Sequence, residues 1–231
     1  MRIEIWSDVV CAWCYIGKRR LESALAGFEH ADEVEIVWRS YQLDPSAPTT
    51  PTETVAEHLG RKYGGGADAG RQMIDRVEAV AAEEGLVYRL GEAQRVGTVD
   101  AHRVLHLAAR EHLQQDLEEA LFAAYFLAAQ NVADHDVLVR LATEVGLDDV
   151  RVKEVLAGDE FADAVEADIR QATAYGATGV PFFVFDQRFG VSGAQPVEVF
   201  TRVLDQAWAA SRPQLDLVGG ADACGPDGCP V

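Results

Sequence analysis

Ser7-Asp8-Val9-Val10-Cys11-Ala12-Trp13-Cys14-Tyr15-Ile16-Gly17-Lys18 is the stretch on which the reading of this chain turns. Two cysteines, two residues apart, stand where one periodicity gives way to another. Before them, Arg2 to Trp6 alternates apolar and charged side chains, the period of a strand with one covered face. After them, Ile16, Leu21, Leu25 and Phe28 recur at roughly helical spacing, which predicts a helix from the dithiol to about Gly27. Val34 to Trp38 then reads as a second strand. The chain therefore begins strand, dithiol, helix, strand.

A C-x-x-C at the start of a helix has a mechanical logic. Unpaired backbone N–H groups and the helix dipole favour negative charge there, so the first cysteine tends to thiolate and can attack a disulfide. The second lies one turn on, close enough to resolve the mixed disulfide. This makes Cys11 the expected nucleophile and Cys14 the resolving thiol. A zinc site would need four ligands, and no second C-x-x-C or nearby histidine pair supplies them, so no metal is expected. His102 and His106 stand four apart, but Arg103 occupies the place of the glutamate in H-E-x-x-H; they read as packed or surface histidines.

The other two of the four cysteines also form a close pair, Cys224-Gly225-Pro226-Asp227-Gly228-Cys229, around a turn. It reads either as an auxiliary dithiol serving Cys11 and Cys14 or as a simple tail disulfide. Residues 212–231 lack periodicity and read as a flexible tail.

Between the ends the signals are almost all helical. Asp44 to Pro51 holds three prolines and reads as a linker. Thr50-Pro51-Thr52-Glu53 predicts a helix start, with a threonine cap, proline in the first turn and glutamate closing a capping box. Tyr63 to Ala67, with three glycines in a row, reads as a mobile loop. Apolar stripes follow at Met73, Val77 and Val80, at Leu117, Leu121 and Tyr125, and at Val137, Leu138, Leu141 and Val145, the last closed by Gly146. Phe161 to about Gly176 predicts another helix. Thr178-Gly179-Val180-Pro181 then introduces a buried strand, Phe182 to Phe185, with Arg188 to Val191 returning beside it, and Pro196 opens a last helix. Lys18, Arg19 and Arg20 read as a solvated helix face. One sheet built from both ends, with a helical block inserted, is the economical α/β architecture.

The segment from Ser7 to Lys18 resembles the active-site region of DsbA-like oxidoreductases, specifically their FrnE-like branch. Thr178-Gly179-Val180-Pro181-Phe182-Phe183 resembles that family's second signature, and Asp100-Ala101-His102-Arg103 is similar to this branch as well. The resemblance spans roughly residues 1–210. It implies a thioredoxin-like fold discontinuous over residues 1–48 and 159–211, with a helical domain inserted at 49–158. It also implies a cis Pro181 facing the dithiol and substrate contacts from Trp13, Val180 and Pro181. Ala12 stands where the family usually has proline. The intervening pair helps set the potential, about -120 to -270 mV among known C-x-x-C proteins, and both directions of exchange stay open.

The expected activity is disulfide exchange or isomerisation on protein or small-thiol disulfides, with no resident cofactor, glutathione as an optional co-substrate and a cytosolic electron partner. Two other readings compete. One is a glutathione-dependent isomerase or transferase of the 2-hydroxychromene-2-carboxylate isomerase or kappa-class type. The other is a non-enzymatic, chaperone-like binding module. The formal net charge of -18 over 231 residues repels phosphate backbones and anionic lipid, which argues against nucleic-acid and membrane partners. The start, Met1-Arg2-Ile3-Glu4-Ile5-Trp6, lacks a signal-peptide pattern, so a cytoplasmic monomer or homodimer is expected.

Overall fold

The computed structural model describes residues 1–212. Four strands form one mixed sheet in the order β2-β1-β3-β4: β1 (Arg2–Ser7), β2 (Glu35–Ser40), β3 (Phe182–Phe185) and β4 (Phe189–Ser192). β1 is parallel to β2, with Arg2 opposite Glu35, and antiparallel to β3, with Ile3 opposite Phe185. A parallel pair requires a crossover. It is supplied by α1 (Ala12–Ala26) and a short 3-10 turn, Ala31–Glu33. Asp186, Gln187 and Arg188 link β3 to β4 as a three-residue hairpin loop, with positive φ at the first two positions.

Between β2 and β3 run α2 (Val55–Tyr63), α3 (Gly66–Glu83), α4 (Val99–Arg110), α5 (Gln114–Phe122), α6 (His135–Glu144), α7 (Asp149–Ala157) and α8 (Ala162–Ala174). The last element of the described residues is α9 (Val197–Ser211). Strands from both ends thus share one sheet with helices inserted between them, as the thioredoxin-like expectation requires.

The sheet is covered on both faces, not on one as the alternation in β1 suggests. Ile3 and Ile5 enter the main core with Phe183, Phe185, Phe200 and Leu204, under α1 and α9. Phe183 and Phe200 meet edge to face at 4.8 Å, a geometry worth about 0.5–1.5 kcal/mol beyond area burial. On the other face Trp6 is fully buried with Ala172 of α8 and Val184, and its indole N–H donates to the Asp168 carbonyl at 2.8 Å. Glu4 is buried on that face because Arg39 neutralises it, Nε to Oε1 3.0 Å, while a second Arg39 nitrogen reaches Asp168 at 3.3 Å. A buried carboxylate without such a partner would carry a large desolvation cost.

Three local expectations are corrected. The capping box is not at Thr50 but four residues on: Thr54 caps α2, its hydroxyl accepting from the Glu57 N–H while the Glu57 carboxylate accepts from Thr54. The sequence repeats T-x-x-E at this spacing. Glu53 is instead drawn to Arg61 and Arg95, which removes it from the first box.

The glycine run is a tight two-residue turn rather than a loop over 63–67. Gly64, Gly65 and Gly66 all take positive φ and fold α2 straight back onto α3. The two helices lie so close that a Cβ on Gly70 would sit 1.9 Å from the Ala56 carbonyl oxygen.

The basic triplet on α1 is not a solvated face. Lys18 is buried, its ammonium on Glu119 of α5 at 2.6 Å and on Glu22, and Arg19 joins the same two carboxylates. Arg20 bonds Glu84 at 2.6 Å and the Ala194 carbonyl at 2.7 Å. These residues tie α1 to the inserted helices and to the β4–α9 connection.

Candidate active site

Cys11 occupies the N-cap position of α1 in extended conformation, with no side-chain cap in competition and no acidic residue in the first turn. Its N–H donates to the Asp8 carbonyl at 2.8 Å, and its own carbonyl accepts from the Cys14 N–H at 2.9 Å. The sulfur therefore sits where the helix presents its unpaired N–H groups. Both cysteines are free thiols.

Across from them the Val180–Pro181 peptide bond is cis, and the Cys11 thiol donates to the Val180 carbonyl at 3.5 Å. Gly17 permits the approach: a Cβ there would stand 3.1 Å from both Pro181 Cγ and Phe183 Cζ. The fold thus brings Cys11, Cys14, Val180 and Pro181 together from opposite ends of the sequence. Trp13, between the cysteines, points outward and is 44% exposed. Cys224 and Cys229 lie outside the described residues.

The two thiols differ in setting. Burial, the hydrogen bond with Cys11 and the charge of Cys11 all push the Cys14 thiol well up, against weaker opposing contributions from the Asp8 N–H and the Ser7 hydroxyl. Cys14 is 1% exposed and Cys11 only 4%.

Behind Cys14 lies a group of buried polar side chains. Ser7 donates to Glu118 Oε1 at 3.0 Å. Asp8 Oδ2 accepts from the Leu43 N–H at 2.8 Å. Asp8 Oδ1 and His102 Nε2 face each other at 3.4 Å, and neither has a well-aligned hydrogen bond among the described residues. Burial, reinforced by the Asp8 charge, pushes the Glu118 carboxyl up to about 7 despite His102, Ser7 and Lys18. For His102, burial alone would act downward, but the Asp8 contact and the Glu118 charge outweigh it and raise the imidazole above its ordinary value.

Asp8 lies inside the quoted segment, and an acid in that otherwise apolar run is a signal the sequence offered. Glu118 could not be found that way, because only the docking of α5 brings it under β1. His102 and His106 do not converge: His106 faces Asp168 of α8 and Ser40 at the end of β2, each at 3.2 Å. No group of three or more His, Cys, Asp or Glu among the described residues could hold a metal ion.

Beside Cys11 opens a cavity of about 430 Å³, between the start of α1, the α2–α3 pair and the segments after β2 and α3. Val55, Leu59, Met73, Val77, Leu90 and Val96 give it apolar walls, and Cys11, Ala12 and Trp13 form one end. Tyr88 secures that end by donating its hydroxyl to the Ala12 carbonyl at 2.8 Å.

A family model described as a DsbA-like thioredoxin domain matches residues 2–205. The chain belongs to the DsbA-like thioredoxin family. Among solved structures of DsbA-like proteins, it is similar to a probable DsbA oxidoreductase from Streptomyces coelicolor, at 48% identity and a TM-score of 0.87, covering 100% of this chain and 99% of that one. Its fold also matches the cytosolic disulfide reductase DsbM from Pseudomonas aeruginosa, solved with GSH, at 16% identity and a TM-score of 0.63, over 90% and 100% of the two chains. A curated relative is the uncharacterized protein YwbO of Bacillus subtilis (strain 168), 26% identical over 208 residues, which span 88% of this chain and 96% of that one.

Proposed function

We propose that this DsbA-like chain is a thiol–disulfide oxidoreductase in which Cys11 attacks a disulfide and Cys14 resolves the product. The observation that carries this reading is the position of Cys11 at the N-terminus of α1, against Val180 and Pro181, with Cys14 buried one turn behind. Trp13, Val180 and Pro181 are the proposed substrate contacts. Attack by the Cys11 thiolate breaks the substrate disulfide, forms a mixed disulfide and releases one thiolate. Cys14 then attacks the Cys11 sulfur, closes an internal disulfide and releases the second thiol. The burial that raises the Cys14 thiol keeps it protonated until the mixed disulfide has formed, which assigns the two roles.

A low-molecular-weight cytosolic thiol such as glutathione is the proposed electron partner. A glutathione-dependent isomerase needs no resolving thiol, so the buried Cys14 supports exchange over that alternative.

Cys14→Ser separates the two steps. Treated with hydroxyethyl disulfide, this variant is expected to accumulate a covalent adduct on Cys11, seen as a mass increase of the intact protein. Wild type is expected to pass through that adduct to the internal disulfide. A Cys14→Ser protein that stays unmodified would contradict the assignment.

A further inference from the structure

The reacting thiol is nearly closed off from outside yet borders a cavity. Cys11 is 4% exposed, so a disulfide on the surface of a folded protein meets it poorly. The open approach is the adjoining cavity of about 430 Å³, within the range of about 300–1,000 Å³ that small-molecule sites occupy. Its walls are apolar side chains from α2, α3 and the segment around Leu90 and Val96. Water gains little there, and an aromatic or alkyl body gains by burial.

Charge at the cavity narrows the ligand further. Arg95 bonds Asp44 at 2.8 Å, and His58 faces Glu53 at 3.3 Å, so their polar groups are already engaged. Lys62 also lines the cavity, its ammonium 5.6 Å from the Tyr63 ring centroid, and among the described residues it forms no salt bridge. In a chain of net charge -18, a cation that no carboxylate neutralises among the described residues, beside an apolar cavity, complements an anionic group on the ligand.

From this juxtaposition we infer that the substrate is a small organic disulfide, with an aromatic or alkyl body seated in the cavity beside Cys11 and an anionic group directed to Lys62. This rests on the exchange reading above and names its substrate class. The balance is that of two-electron exchange. The substrate S–S bond breaks and its two sulfurs leave as thiols. Cys11 and Cys14 lose two electrons and two protons in forming their disulfide. Two equivalents of a low-molecular-weight thiol restore the dithiol and are themselves oxidised to a disulfide.

The test uses the full-length reduced protein and three probes: dithiobis(nitrobenzoate), which is aromatic and anionic; dithiodipyridine, aromatic and neutral; and hydroxyethyl disulfide, small and polar. Each second-order rate constant is divided by that of free glutathione with the same probe, which removes intrinsic reactivity. The normalised constant for dithiobis(nitrobenzoate) is expected to exceed that for hydroxyethyl disulfide by about 10-fold or more, the scale on which an apolar pocket discriminates.

Val77→Trp fills the cavity and should lower that ratio about 10-fold. Lys62→Glu changes an exposed side chain and does not depend on repacking. It should lower the constant for dithiobis(nitrobenzoate) about 5-fold relative to that for dithiodipyridine. A ratio near one in the wild type, or ratios that neither variant moves, would overturn the inference and leave exchange intact. Failure of all three probes to oxidise Cys11 would instead remove the exchange reading on which it rests.

Discussion

Cys11→Ser is expected to lose turnover of hydroxyethyl disulfide with glutathione by at least about 1,000-fold, to the uncatalysed background. A serine hydroxyl at the same N-cap is a far weaker nucleophile toward sulfur than a cysteine, and it has no base beside it. Cys14 cannot take over. It is 1% exposed, and burial with the neighbouring Cys11 keeps its thiol well above the ordinary range. Serine at position 11 removes the Cys11 charge but not the burial, so the surviving thiol stays protonated and out of reach. Steady-state rates of wild type and variant, measured at equal protein concentration, check this. Retention of a tenth or more of the wild-type rate would place the nucleophile elsewhere.

The second large effect concerns stability and comes from the buried acid behind the dithiol. Burial raises the Glu118 carboxyl from an ordinary 4.5 to about 7. The folded chain therefore holds this proton more tightly than the unfolded chain, and stability falls as pH rises through the window from 4.5 to 7. At about 1.4 kcal/mol per pH unit, the loss comes to about 3–4 kcal/mol by pH 8. His102 acts in the same sense. Its imidazole is raised in the fold, so its contribution is present below its unfolded value and is lost as pH rises through its folded one.

Glu118→Gln keeps an oxygen to accept from Ser7 but has no charge to bury. Urea unfolding should show the variant close to wild type at pH 5 and more stable than it by about 2–3 kcal/mol at pH 8. The comparison cancels the repulsion among surface carboxylates, which both proteins share. A difference that is the same at both pH values would show that Glu118 does not titrate between them.

Much of this architecture was legible because local signals and tertiary demands coincide. The strand–dithiol–helix start, the Val180–Pro181 signature and the apolar strand after it are each short, contiguous patterns. Together they indicated the sheet and its two contributing ends, and the family resemblance they carry implied that Val180 and Pro181 meet Cys11 and Cys14 at the site. Most of what failed shares one physical cause: the deciding partner lay far away in sequence.

Lys18, Arg19 and Arg20 look like a solvated face until Glu119 arrives from α5 and Glu84 from the C-cap of α3. Two T-x-x-E patterns compete for one helix start, and the choice turns on the pull of Arg61, with the distant Arg95, upon Glu53. Even the alternation of β1 misled, because Glu4 looks exposed unless Arg39 is known to neutralise it. The pairing of Asp8 with His102 and of Ser7 with Glu118 has no periodic signature at all, since the docking of α4 and α5 settles it.

The most direct measurement of the central claim is the location of the oxidised sulfurs. Reduced wild-type protein is treated with one equivalent of hydroxyethyl disulfide, quenched by alkylation, digested and mapped by mass spectrometry. The account predicts a disulfide joining Cys11 to Cys14 within one peptide, with both halves of the probe released as free thiol. An alkylated Cys14 beside a Cys11 that keeps the probe, or that never reacted, would contradict it.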